Sequence, residues 1–89
     1  MTPVSSVTAF IARAHSGADP DAAATLAAFD LDDDARAVLA AQAVPAAQRR
    51  RWLESRTGRS WTAGELGHVE SRAFTVVRRQ LHARGLMRG

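Results

Sequence analysis

The residues with the greatest chemical capacity in this chain are its arginines. Twelve of them stand beside nine carboxylates and three histidines in 89 residues, with no lysine and no cysteine. A guanidinium stays charged and donates from a planar fork, which suits phosphates and guanine edges. Arg49, Arg50 and Arg51 form one block, followed by Arg56 and Arg59. A second group falls at Arg72, Arg78 and Arg79, with Arg84 and Arg88 beyond it. Arg72, Thr75, Arg79 and His82 keep the spacing i, i+3, i+7, i+10, one polar stripe along a helix with Arg78 at its flank. A solvated helix face has the same pattern. Two basic segments adjacent in sequence weigh towards a polyanionic partner.

Other chemistries fare worse. Without cysteine there is no thiolate nucleophile, disulfide or cysteine-based zinc site. Without lysine there is no Schiff base and no phosphate loop of the Walker kind, and no G-x-S-x-G elbow occurs. Asp30, Asp32 and Asp34 imitate the start of a calcium loop, but its sixth position is Ala35 and its twelfth Ala41, where glycine and a bidentate glutamate are required. The aspartates read instead as a helix cap with acidic complement to the helix dipole. Glu65-x-x-His68 is half of a di-iron carboxylate motif with no second half. His68 and His82, on one helix, stand about 21 Å apart at 1.5 Å per residue, too far to share an ion. His15 has no partner in the sequence pattern. The expectation is no enzyme, no metal and no cofactor.

The charge is unevenly placed. Residues 1–44 carry two arginines against six aspartates, a balance of −4; residues 45–89 carry ten arginines against three glutamates, a balance of +7. Such asymmetry suggests DNA or an acidic protein surface as partner of the basic half. It is equally what two halves that fold against each other would show. The nineteen alanines and the replacement of lysine by arginine also match the codon usage of a high-GC genome. The longest apolar run, residues 37–41, is far below the roughly 20 residues a membrane span needs, and no basic leader precedes an apolar stretch. A cytoplasmic protein is expected.

Punctuation along the chain predicts the elements that position these side chains. Ser5 or Ser6 caps a first helix to about His15, with Val7, Phe10, Ile11 and Ala14 on one face. Asp19-Pro20-Asp21 starts a second, with Ala22, Leu26 and Phe29 inward. Asp32-Asp33-Asp34 opens a third, facing inward with Ala35, Val38 and Leu39, which Pro45 stops. Pro45 is also placed to be the first residue of a fourth, which runs through Trp52 and Leu53 to Gly58. Thr62-Ala63-Gly64-Glu65 is a capping box, and Leu66, Val69, Ala73, Val76, Val77 and Leu81 then follow at helical spacing until Gly85. Nothing alternates with period two. The expected fold is all-α: one domain, a small bundle of four to five helices, ending in a long C-terminal helix or a helix-turn-helix.

Residues 61–88 contain Glu65-Leu66, then Ser71-Arg72-x-x-Thr75-Val76-x-Arg78-x-x-Leu81-x-x-Arg84-Gly85-Leu86-Met87-Arg88. This third of the chain resembles the core of winged helix-turn-helix regulators. The resemblance implies a recognition helix opening at Ser71 and an Arg-Gly-Leu ending that leads towards the wing. It implies that Ser71, Arg72, Thr75 and Arg79 face the major groove, with Arg78 and Arg88 near phosphates. Residues 68–70 would then supply the turn. Apolar spacing runs unbroken through the same stretch, so one continuous helix is the other form open to it.

Two functions follow. The first is a small DNA-binding protein, a transcriptional regulator by the resemblance, contacting DNA through Arg49, Arg50, Arg51, Ser71, Arg72, Thr75, Arg78, Arg79 and Arg88, with a symmetric homodimer doubling the contacts. The second is a non-enzymatic adaptor, of the phage or accessory-subunit type, that offers a protein partner Leu66, Val69, Val76, Val77 and Leu81, or meets an acidic surface with its arginines. Exposed tryptophans at 52 and 61 would favour the adaptor, since aromatic anchors are common hot spots; buried ones are core. A buried apolar stripe beside exposed arginines favours nucleic acid.

Overall fold

The computed structural model describes residues 1–88. It contains five α-helices, α1 (Val7–His15), α2 (Pro20–Ala27), α3 (Asp33–Ala40), α4 (Ala46–Thr57) and α5 (Ala63–Ala83), with a 3-10 turn at Ala41–Ala43. No strand occurs among the described residues; Val4 and Met87 form one isolated parallel bridge. The protein is all-α, and its C-terminal segment takes the long-helix form.

Helix starts follow from local hydrogen-bonding chemistry. An N-terminal turn leaves backbone N–H groups without helical partners, and a short polar side chain just before it accepts one. Ser6 Oγ accepts from the Ala9 amide at 3.1 Å, Asp19 Oδ1 from Ala22 at 3.0 Å and Asp32 Oδ1 from Ala35 at 2.8 Å. At α5 the bonds are reciprocal: the Glu65 amide donates to Thr62 Oγ1 and the Thr62 amide to Glu65 Oε1, both at 3.1 Å. Pro45 sits one place earlier than its sequence suggested. It is the N-cap of α4 with φ −53° and ψ 140°, so Ala46 is the first helical residue. Proline's fixed φ is compatible with either place, and the extended ψ puts it outside the helix.

Helix ends use glycine where the chain must enter the left-handed region. Gly58 closes α4 at φ 74°. Gly85 follows α5 at φ 68°, with its amide donating to the His82 carbonyl at 3.1 Å and the Leu86 amide to the Leu81 carbonyl at 2.8 Å. That pair of bonds is a Schellman motif, which satisfies two carbonyls the helix leaves open.

Two compact units divide the chain. Unit 1 is built from residues 1–30 and 74–88. In it α1 packs on α2, Val7, Phe10, Ile11, Ala14, Ala22, Leu26 and Phe29 are buried, and the Phe10 and Phe29 rings stack at 5.9 Å. The bridge joins its two ends: the Val4 amide donates to the Leu86 carbonyl and the Arg88 amide to the Val4 carbonyl, each at 2.8 Å. Unit 2 is residues 31–73. Its core cluster holds Ala37, Val38, Ala41, Leu53, Trp61 and Val69, with Trp52 and Leu66 partly buried against it. Trp61 is admitted to this core because its polar atoms are met there. Its indole N–H donates to Thr57 Oγ1 and its amide to Glu54 Oε2, both at 3.0 Å.

Candidate nucleic-acid interface

The cationic side chains of unit 2 are mostly occupied by the protein itself. Arg49, half-buried on α4, donates from Nε to the Ala41 carbonyl at 2.9 Å and from Nη2 to the Val44 carbonyl at 3.1 Å. Its Nη1 lies 4.0 Å from Glu70 Oε2, which also accepts from Gln42 Nε2 at 3.0 Å. The Ala41 carbonyl also accepts the Val44 amide at 2.9 Å, so the guanidinium is its second donor, and the dipole at the end of a helical segment favours the charge there. Arg49 therefore braces the junction between α3 and α4 instead of standing in solvent.

Arg72 and Arg59 are held by the acidic start of α3. Arg72 Nη2 meets Asp32 Oδ2 at 3.0 Å. Arg59 Nη2 meets Asp34 Oδ2 at 2.9 Å and its Nη1 meets Glu65 Oε2 at 3.3 Å, while the guanidinium lies 3.8 Å from the centre of the Trp61 ring. The hydrogen bond to Asp34 is the largest influence on Arg59 and raises its pKa. The Thr62 amide, followed by the Thr62 hydroxyl, lowers that of Glu65, with Arg59 adding to the effect. Arg56 lies over the Trp52 ring at 5.4 Å.

What remains in unit 2 is Arg50 and Arg51. Both are exposed on α4, and neither side chain has an ion pair or hydrogen bond among the described residues. In unit 1 the same is true of Arg78 and Arg79 on α5 and of Arg88 beyond it. Arg84 is drawn over the Phe29 ring at 5.1 Å. Ser71 and Thr75 each have an interaction within the protein.

The sequence-derived site is therefore divided. Arg50, Arg51, Arg78, Arg79 and Arg88 are presented to solvent, whereas Arg49 and Arg72 are committed to carbonyls and a carboxylate. Helix α5 runs through residues 68–70 without a break, so no turn forms there and Ser71 is its ninth residue instead of opening a helix of its own. The opposition of an acidic and a basic half also disappears once charges are sorted by unit. Unit 1 has five arginines against three aspartates, a balance of +2; unit 2 has seven arginines against six carboxylates, +1.

The apolar stripe named for an adaptor is mostly inside. Val69, Val77 and Leu81 are buried, Leu66 and Val76 half-buried, and no large hydrophobic side chain is exposed among the described residues. Trp61 is core and Trp52 lies partly buried against it. No group of His, Asp or Glu among the described residues could hold a metal ion, and no helix there is long and apolar enough to cross a membrane. Comparison with known protein families, curated proteins and solved structures finds no match to this chain.

Proposed function

We propose that this chain is a small DNA-binding protein that contacts DNA through the arginines its own fold does not use. Arg78, Arg79 and Arg88 form one such group and Arg50 and Arg51 another. The observation that carries the reading is selective occupancy. Arg49, Arg59 and Arg72 are tied to carbonyls and carboxylates, while these five guanidinium groups have no partner among the described residues. The burial of Val69, Val77 and Leu81 counts against an adaptor that docks by its apolar stripe, while an acidic protein surface would meet the same free arginines and is the reading that a DNA titration tests against. A finer role as a transcriptional regulator rests on the winged-helix resemblance alone.

The test is a salt titration of binding to labelled duplex DNA, followed by fluorescence anisotropy. Phosphate contacts release counterions, so log K falls against log salt with a slope of about −0.9 per contact. Engagement of Arg78, Arg79 and Arg88 gives about −2.7, and engagement of all five about −4.5. Absence of any complex at low salt, or a slope near zero, overturns the proposal.

A further inference from the structure

Resting on the DNA-binding reading, we infer that the protein holds duplex DNA by its phosphates and does not read base sequence. Base readout needs side chains that project as a set from one element into a groove and are free to form bidentate bonds with base edges. The residues placed to do that on α5 are Ser71, Arg72, Thr75 and Arg79. Arg72, one of the two among them with the bidentate fork that reads guanine, is paired to Asp32 at 3.0 Å.

The arrangement around Arg72 adds to this. A base edge approaching Arg72 would also approach Asp32, whose other oxygen caps α3 through the Ala35 amide at 2.8 Å. The cap fixes that carboxylate in place, so it does not swing clear when the ion pair opens. A fixed negative charge beside the reading position repels the phosphates on either side of the groove.

The free arginines have a different geometry. Arg50 and Arg51 are neighbours on α4, and Arg78 and Arg79 are neighbours on α5. Neighbouring residues on a helix diverge by about 100°, given 3.6 residues per turn. Two such side chains leave the helix in different directions and do not start as a set aimed at one base pair. That is the geometry of a clamp on separated phosphates. Such binding depends on charge and spacing, which every duplex sequence supplies alike.

The experiment uses the full chain and a set of short duplexes of equal length, some AT-rich, some GC-rich and some random, with affinities measured at one low salt concentration. A random-pool selection over several rounds accompanies it. The expected result is a spread of affinity under about tenfold across the set, no enriched sequence, and equal salt slopes; sequence-reading proteins discriminate by about a thousandfold or more. The double substitution R78Q/R79Q is expected to weaken binding by the same factor on every duplex. An enriched sequence bound far above the rest, or a double variant whose loss depends on sequence, overturns this inference and leaves the DNA-binding reading standing. No binding to any duplex overturns both.

Discussion

Arg72 and Asp32, forty residues apart in the chain, meet at 3.0 Å. One carboxylate thereby does two jobs, because Asp32 Oδ1 accepts from the Ala35 amide at the start of α3 while Oδ2 accepts from Arg72 on α5. The pair joins α5 to the start of α3 at their polar margin, and it gives a carboxylate partner to an arginine that helical spacing alone would assign to DNA.

The two jobs of Asp32 are separable by substitution. In Asp32→Asn the amide oxygen keeps the cap, since asparagine ranks with aspartate there, but the ion pair is lost. The side chains are 50% and 59% exposed, so solvent screens the pair and its loss should cost at most about 1 kcal/mol. Asp32→Ala loses the cap as well, a further cost of about 1 kcal/mol. Urea denaturation of the three proteins checks the order, and a variant with asparagine as unstable as alanine would show that the charge, not the cap, matters.

Arg49 is a brace, and its removal should read as a loss of stability. Arg49→Ala deletes two hydrogen bonds from a charged donor to the Ala41 and Val44 carbonyls, where the arginine side chain is only 21% exposed. Bonds to charged groups of this kind contribute about 1.5–3 kcal/mol. Arg49→Lys should recover part of it, because an ammonium brings charge but not the planar fork. Thermal denaturation measures the loss, and the salt slope of DNA binding should stay at the wild-type value.

Much of the fold was legible in short-range chemistry. Ser6, Asp19, Asp32 and the Thr62/Glu65 box announce helix starts because an N-cap acts over three residues, a distance the sequence displays directly. The inward faces Val7/Phe10/Ile11/Ala14 and Ala35/Val38/Leu39 are legible for the same reason, helical periodicity being local. The candidate site was legible only in part. Spacing places Arg72 and Arg79 on one helix stripe alike, but what distinguishes them is Asp32, whose approach depends on tertiary packing. The pairing of Arg59 with Asp34 spans 25 residues and is hidden in the same way. Of the aspartates at the start of α3, Asp32 is the cap and Asp34 lies in the first turn; that these two are also counter-charges to Arg72 and Arg59 has no local signature.

Acid should loosen the start of α5 through Glu65. Its folded-state pKa lies below the ordinary value of 4.5, first because the Thr62 amide donates to the carboxylate and then because the Thr62 hydroxyl and Arg59 favour the charged form. A carboxyl whose pKa is depressed on folding contributes stability above its unfolded pKa and loses that contribution as pH falls through the folded one. The thermal midpoint should therefore decline as pH is lowered from about 4.5. In Glu65→Gln the amide oxygen can still accept from Thr62 but no longer titrates, so this part of the decline should vanish. Arg59, its pKa raised by Asp34, remains charged throughout that window and does not contribute to the slope. A variant whose acid profile parallels the wild type would place the acid sensitivity elsewhere.

Arg79 and Arg72 provide the sharpest contrast, because they share a helix and a residue type and differ in their partner. Arg79 is exposed with none among the described residues, so Arg79→Ala should leave stability within about 0.5 kcal/mol of wild type. If it contacts a phosphate, it should also lower the salt slope of DNA binding by about 1. Arg72→Ala should do the reverse: it releases Asp32 and weakens unit 2 slightly, with the slope unchanged. Both quantities come from the same two purified variants, by denaturation and by salt titration. A slope that falls for Arg72→Ala and holds for Arg79→Ala would mean that DNA displaces Asp32 and takes Arg72 for itself, and would reverse the assignment of the binding residues.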